Sequence, residues 1–386
     1  MELAAEAAKR FKTEFGAGPT AGAFAPGRVE VLGNHTDYNG GYVLPAALQQ
    51  GTVIVGRAIE GDTSTLVAAD FDRKSSFSVS SPTRDEDNSW ASYVIGVVDE
   101  LKKSGVKIGA FEAVIRSDVP TGAGLSSSAS LEVATAVLLQ SLYPYDLGKM
   151  DIALLCQRAE NKFVGVNCGI MDQFASVYGE EDSLLFLDCQ TLKNETVKMG
   201  REDIAIVICD SGVKHALTGG DYNTRRAECM AAAAHFGVEL LRDVSWDDFV
   251  AHEAELPEEQ RKRARHILTE NARVLALRDA IRGTDAEEIK RIIAEGHASM
   301  RDLFENSTPE LDVLVDIALG LPGCYGARMT GGGWGGATIN LVQRDLVESF
   351  AAELALKYKA STGRDATIIL SKAGQGARTL NAGDWE

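Results

Sequence analysis

Nowhere in its 386 residues does the chain hold a run of about 18 apolar residues, the length a membrane-crossing helix needs. Its opening segment, MELAAEAAKRFKTEFG, is charged and amphipathic and lacks the apolar centre of a secretion signal. None of its six cysteines (Cys156, Cys168, Cys189, Cys209, Cys229 and Cys324) is spaced as C-x-x-C, and most lie among apolar neighbours. That spacing predicts reduced, buried thiols and a cytoplasmic protein. Basic residues are in deficit: 39 Lys and Arg stand against 56 Asp and Glu, a net charge of −17. A field of that sign repels polyanions, so nucleic acid and anionic membranes are poor partners. A bound polyphosphate must be met by a local electropositive pocket or by Mg²⁺. The chain has no internal repeat, low-complexity tract or obvious linker, and nothing in it demands a partner protein.

What is present is the composition of a globular protein with a large core, 45% apolar and 25% charged. The length predicts two domains. Residues 2–15 have amphipathic helical spacing, whereas 51–59 (GTVIVGRAI), 65–70 (TLVAAD) and 111–119 (FEAVIRSDV) read as strands. A helix is expected over 90–104, with Trp90, Tyr93, Val94 and Val97 sharing a core face, and a long apolar one over about 127–142. SLLFLD (183–188) and IAIVICD (204–210) are strong strand signals. From 223 to 306 the pattern is mainly helical, with a proline-led start at Pro257 and a break near Gly283. A glycine-rich turn then runs into a strand over 324–342, and a helix follows over 348–362. A domain boundary is expected near 190, giving 1–190 and 191–386.

The clearest chemical signal is Pro120-Thr121-Gly122-Ala123-Gly124-Leu125-Ser126-Ser127-Ser128-Ala129-Ser130. Glycines let the backbone approach a ligand, and a helix starting within the serines offers free N–H groups and a positive dipole end to an anion. Residues 122–128 thus form a candidate triphosphate cradle; the plainer alternative is a strand–turn–helix with a serine cap. No G-K-[ST] follows, so this is not a Walker A loop, and the third glycine of a dinucleotide fingerprint is missing. Two further blocks stand out. Residues 25–41, APGRVEVLGNHTDYNGG, put polar side chains suited to sugar hydroxyls into a Gly/Pro-rich segment. Residues 331–336, GGGWGG, form a second glycine cluster.

In order, PGRVEVLGNHTDYNGGYVLP, PTGAGLSSSAS and ARMTGGGWGGATINLV resemble the three motifs of the galactokinases, within the superfamily shared with homoserine, mevalonate and phosphomevalonate kinases. Further stretches agree: 89–98, 156–179, VKHAL with DYNTRRAEC (213–229), and 296–315. The resemblance covers nearly the whole chain. It implies a two-domain α/β (α+β) fold of mixed sheets covered by helices, with the active site in the cleft between the domains. The first domain would carry the sugar motif and phosphate loop, the second the glycine-rich third motif. It implies ATP-dependent phosphorylation of the anomeric hydroxyl of galactose. Asp172, in C-G-I-M-D-Q-F, would accept the hydroxyl's proton, and Arg28, in P-G-R, would stabilise the transferring phosphoryl group. Mg²⁺ falls on Ser128 and Glu160. Sugar contacts fall on Asn34, His35, Thr36, Asp37, Gly169 and Tyr222, and the region of Trp90 and Tyr93 lies near the nucleotide.

The chain departs from the family pattern at two places. Galactokinases read G-E-H-T-D-Y where this chain has Asn34, and they have asparagine where it has Glu30. Asn34 can still bond a hydroxyl but lacks the negative charge. A related sugar, such as galacturonate, arabinose or N-acetylgalactosamine, therefore stays open beside galactose. A non-catalytic sugar sensor stays open as a third reading, although the serine loop, Arg28, Glu160 and Asp172 are all kept.

Overall fold

In the structure, a computed structural model, residues 2–120, 122–213 and 220–385 are described. The N-terminal half runs α1 (Glu2–Phe15), β1 (Ala21–Leu32), β2 (Tyr42–Ala58), β3 (Thr63–Ala68), β4 (Arg73–Ser78), α2 (Ala91–Lys103), β5 (Phe111–Ser117), α3 (Ser127–Leu142), α4 (Lys149–Arg158), α5 (Met171–Tyr178), β6 (Ser183–Asp188) and β7 (Asn194–Lys198). The rest runs β8 (Ile204–Asp210), α6 (Gly220–His235), α7 (Trp246–His252), α8 (Glu258–Ala280), α9 (Ala286–Ser299), α10 (Pro309–Leu319), β9 (Cys324–Met329), β10 (Ala337–Gln343), α11 (Val347–Thr362), β11 (Thr367–Ser371) and β12 (Arg378–Leu380).

Two sheets result. The first has the order β12-β1-β2-β5-β3-β4, with β6 and then β7 added through β2. It is mixed: β3 and β5 are parallel and the other pairs antiparallel. The second, β11-β8-β10-β9, is antiparallel throughout. Helices α2 to α5 bury one face of the first sheet, with Val94, Ile95, Leu138 and Phe174 at or near zero exposure. Val29, Val31 and Leu44 pack in a second core with Ile206 and Ile208 of the second sheet and Leu277 and Ile292 of α8 and α9. That shared core fixes how the two halves meet. The β6–β7 hairpin straddles residue 190, and β12 brings the far end of the chain back to β1.

The first half of the polar motif is a strand. Along β1, Val29 and Val31 enter the core, so Arg28 and Glu30 share the opposite face. Register shifts interrupt the β1–β2 pairing at Pro26/Arg28 and Glu30/Leu32, where Pro26 has no N–H to give to a ladder. At the other end of the chain the glycine cluster is a turn between two strands, β9 and β10, rather than a lead into one. Trp90 and Tyr93 are half-buried: they pack against the core that holds Val94 and Val97 but stand at its edge.

Candidate active site

A cavity of about 570 Å³ opens where β1, the start of α3, α5, α6 and the β9–β10 turn converge. Arg28, Asp172, Ser128 and Glu160 line it on the phosphate-loop side. Asn34, His35, Asp37, Gly169 and Tyr222 line the remainder. Sequence positions up to 194 apart are thus brought to one wall.

Arg28 organises the centre. Its Nε and Nη2 donate to Asp172 Oδ1 at 2.9 and 2.8 Å, and its Nη1 donates to the Gly124 carbonyl at 2.6 Å. Ser126 donates its hydroxyl to the other carboxylate oxygen, Asp172 Oδ2, at 2.6 Å. Asp172 therefore sits in the first turn of α5, tied by two groups to the phosphate loop. Ser126 has φ 57° and ψ 47°, a left-handed conformation unusual for a residue with a Cβ, immediately before α3 begins at Ser127. The first N–H groups of α3 lack partners within the helix and face the loop. Gly122 to Ser128 form one continuous turn into that helix, while Thr121 lies outside the described residues.

The third motif presses against this loop. A Cβ on Gly331 would meet the Gly124 carbonyl oxygen at 3.0 Å, and φ at Gly331 is 76°. Backbone thus packs on backbone, which only glycine allows. The Thr330 hydroxyl accepts from the Glu30 N–H at 2.9 Å, locking the turn to β1.

Glu160 lies in a π-helical turn (Ala159–Val164) and is buried, not solvated. Gln173 Nε2 donates to it at 2.7 Å and also to Glu132 at 3.2 Å. Burial raises the pKa of Glu160, opposed in part by hydrogen bonds from Cys168 and from the Ser128 hydroxyl. Burial also pushes Glu132 well above the carboxylate range, reinforced by Glu160. An all-oxygen pair of Ser128 and Glu160 in an electron-rich corner fits a hard divalent cation that keeps most of its other ligands as water or phosphate. Glu132 and Gln173 were missed from sequence because a glutamate inside an apolar helix carries no motif; its position among Leu131, Val133 and Ala134 was the available sign.

On the sugar-motif side, burial and the neighbouring Asp172 charge raise the Asp37 carboxyl to about 6. Gly169 explains how Asp37 reaches the cavity: a Cβ at 169 would stand 1.6 Å from Asp37 Oδ2. Gly169→Ala is therefore expected to displace the Asp37 carboxylate and raise the sugar KM at least 10-fold, with little change in the ATP KM; steady-state kinetics check it. His35 is buried with φ 60° and stacks on Phe304 at 4.4 Å between ring centroids. Its Nε2–H donates to the Gly332 carbonyl (3.0 Å) and its Nδ1 accepts from the Tyr38 hydroxyl (2.9 Å). Burial lowers its pKa to about 3, so the ring is neutral and both nitrogens are engaged by protein.

Thr36 is the one predicted contact that the fold keeps away from the cavity. It is fully buried, and its hydroxyl serves the Gly33 and Tyr42 carbonyls at 2.7 and 2.6 Å, holding the turn. Of the 213–229 stretch, Lys214 to Gly219 lie outside the described residues. Tyr222, which packs its ring against those of His35 and Tyr38, is half-buried.

A second, smaller cavity of about 180 Å³ adjoins the first through Tyr93 and Ser128. Trp90, Phe71, Ile115, Val119 and Leu131 give it apolar walls beside the start of α3. The six cysteines are unpaired, four of them buried and Cys168 and Cys189 half-buried. Among the described residues, no helix is long and apolar enough to cross a membrane.

The mixed two-domain architecture and the glycine–serine loop define a kinase of the GHMP class. Family models agree: residues 92–180 match the GHMP kinases N terminal domain and residues 277–360 the GHMP kinases C terminal. Methanococcus jannaschii mevalonate kinase has the same fold, at TM-score 0.65 and 19% identity over 91% of this chain and 98% of that one. Within that class, residues 9–58 match the galactokinase galactose-binding signature. A galactokinase from Roseiflexus sp. (strain RS-1) is 43% identical over 376 residues, 96% of each chain. The crystal structure of Lactococcus lactis galactokinase complexed with galactose superposes at TM-score 0.92, with 35% identity, over 97% of this chain and 98% of that one. The chain belongs to the galactokinase family.

Proposed function

We propose that this protein transfers the γ-phosphoryl group of ATP to the anomeric hydroxyl of D-galactose, giving galactose 1-phosphate and ADP. The observation that carries this reading is the Arg28 bridge: one guanidinium binds both the candidate base, Asp172, and the carbonyl of Gly124 in the phosphate loop. A sugar hydroxyl at Asp172 is thereby delivered to the phosphate loop. Asp172 accepts the hydroxyl proton as the sugar oxygen attacks the γ-phosphorus, and the bond from that phosphorus to the bridging oxygen of ADP breaks. Arg28 offsets the charge on the transferring group. Residues 122–128 and the start of α3 hold the triphosphate, and the apolar slot of Trp90, Tyr93 and Leu131 takes the base. Ser128 and Glu160 would hold Mg²⁺, which would offset phosphate charge. Asn34, His35, Asp37, Gly169 and Tyr222 shape the sugar end, with Thr36 supporting them from behind. The protein works in the cytoplasm on small molecules without an obligate protein partner. The domain division falls after the β6–β7 hairpin, a few residues beyond 190.

Four carboxylates, Glu30, Asp37, Glu160 and Asp172, face this cavity with Arg28. That balance favours a neutral sugar over a uronic acid, and the intact Asp172–Arg28 pair favours catalysis over sensing. The test is ADP release with Mg-ATP against galactose, 2-deoxygalactose, galacturonate, N-acetylgalactosamine, arabinose and glucose. Galactose is expected to turn over fastest and galacturonate at least about 100-fold more slowly in kcat/KM. Preferential turnover of galacturonate, or binding of sugars without turnover, would overturn the reading.

A further inference from the structure

We propose that Glu30 is a substrate-contacting specificity residue, whose carboxylate, oriented by Asn34, accepts a hydrogen bond from a sugar hydroxyl at the end of the ring away from the reaction. The inference rests on the cavity being the sugar site. Glu30 lines that cavity and is 2% exposed. Its Oε2 accepts from Asn34 Nδ2 at 2.7 Å, whereas its Oε1 is buried with no hydrogen-bond partner. A carboxylate held in that way is costly unless a donor arrives.

Among the described residues, none supplies that donor. Arg28 is committed to Asp172 and Gly124, and Arg328 to Glu270 at 2.8 Å. Nor is Asn34 available to do the work assigned to it from sequence. Its two amide hydrogens go to Glu30 and to the Gly331 carbonyl (2.5 Å), and its Oδ1 accepts from Asn306 at 3.2 Å. Asn34 is thus a positioning residue, and the free acceptor oxygen belongs to Glu30. Between them these residues keep one amide and one carboxylate in contact, with the two chemistries exchanged between positions 30 and 34 relative to the family pattern.

Strand geometry says where on the sugar this acceptor falls. Arg28 and Glu30 share a face of β1 two residues apart, about 7 Å along the strand. That is the scale of a pyranose ring. With the reacting hydroxyl at the Asp172–Arg28 pair, Glu30 stands against the far side of the sugar. Burial raises the Glu30 carboxyl to about 7, so above that pH its charge also repels a uronic acid, and the asparagine at 34 does not by itself open the site to one.

The test compares wild type, Glu30→Gln and Glu30→Asp with galactose and each monodeoxygalactose, with Asp37→Asn as the control for the site. Glu30→Gln is expected to raise the galactose KM about 10- to 100-fold, with kcat within about threefold and the ATP KM unchanged. One deoxy sugar, and only one, should lose its disadvantage against galactose in Glu30→Gln, which a merely structural role would not produce. Glu30→Asp keeps the charge but withdraws it by one methylene, and is expected to give an intermediate KM; it decides the matter if Glu30→Gln does not melt cooperatively. A galactose KM within twofold of wild type in a folded Glu30 variant, with deoxy-sugar ratios unchanged, overturns the proposal. If Asp37→Asn raises KM in that case, Glu30 alone is misassigned; if Asp37→Asn also leaves KM unmoved, the sugar-site reading falls with it.

Discussion

Asp172→Asn is expected to lower kcat by about 10² to 10⁴ while the galactose KM stays within a few-fold of wild type. The substitution is nearly isosteric. Asparagine keeps an oxygen for the two Arg28 donors now on Oδ1. On the other side the Ser126 hydroxyl, which donates to Oδ2 at present, can rotate to accept from the new amide. The local geometry thus survives, and what is lost is the group that takes the proton. Single-turnover ADP formation with saturating galactose and Mg-ATP measures this directly. A kcat within threefold of wild type would show that Asp172 only orients the hydroxyl and that proton transfer needs no side-chain base. A raised KM with unchanged kcat would place Asp172 among the sugar ligands instead.

Glu270→Ala is expected to destabilise the fold by about 3–5 kcal/mol, because it leaves a buried guanidinium without its partner. Arg328 of β9 and Glu270 of α8 form an ion pair at 2.8 Å in which both side chains have zero exposure. Arg273 adds a second cation at 2.7 Å, and together the two hold the Glu270 carboxyl far below the usual range. The same carboxylate accepts from the Gly33 N–H at 3.1 Å. Arg328 also donates to the Val31 carbonyl. This pair therefore fastens β9, α8 and the sugar motif together, and its loss should loosen the cavity as well as the core. Thermal unfolding should show a melting temperature lower by about 5 °C, with a raised galactose KM in the protein that remains folded. Replacing both residues by apolar ones should recover part of the loss, since no lone charge is then buried. A single substitution that shifts the melting temperature by less than 2 °C would show that water reaches Arg328.

Local periodicity was enough to find most elements. The apolar run after the serines is α3 (Ser127–Leu142), and SLLFLD and IAIVICD are β6 and β8 to the residue. These segments are legible because their partners on both sides are apolar, so burial is written into every position. The sugar motif was harder. A-P-G-R-V-E-V-L looks like a polar loop when scanned for sugar ligands, yet its V-x-V alternation makes it half of a strand. Trp90 was read as core from its helical spacing, but the face it shares with Tyr93 borders a cavity. Spacing says which side chains share a face and not what that face meets.

The sequence alone determined the class of chemistry. A glycine loop running into a serine-started helix points to a phosphate cradle, and the resemblance of three local motifs to those of the galactokinases implies phosphoryl transfer to a sugar, because each motif is legible within a few positions. Tertiary structure decided the roles inside the site. Only the crossing of β1 with the β9–β10 turn spends the hydrogen-bonding capacity of Asn34 on Glu30, Gly331 and Asn306. Only the fold turns Thr36 inward and leaves Gly169 open for Asp37. Hydrogen-bond partners that lie about 300 residues away in the chain compete for each donor, and which of them wins is a property of packing that no local pattern records.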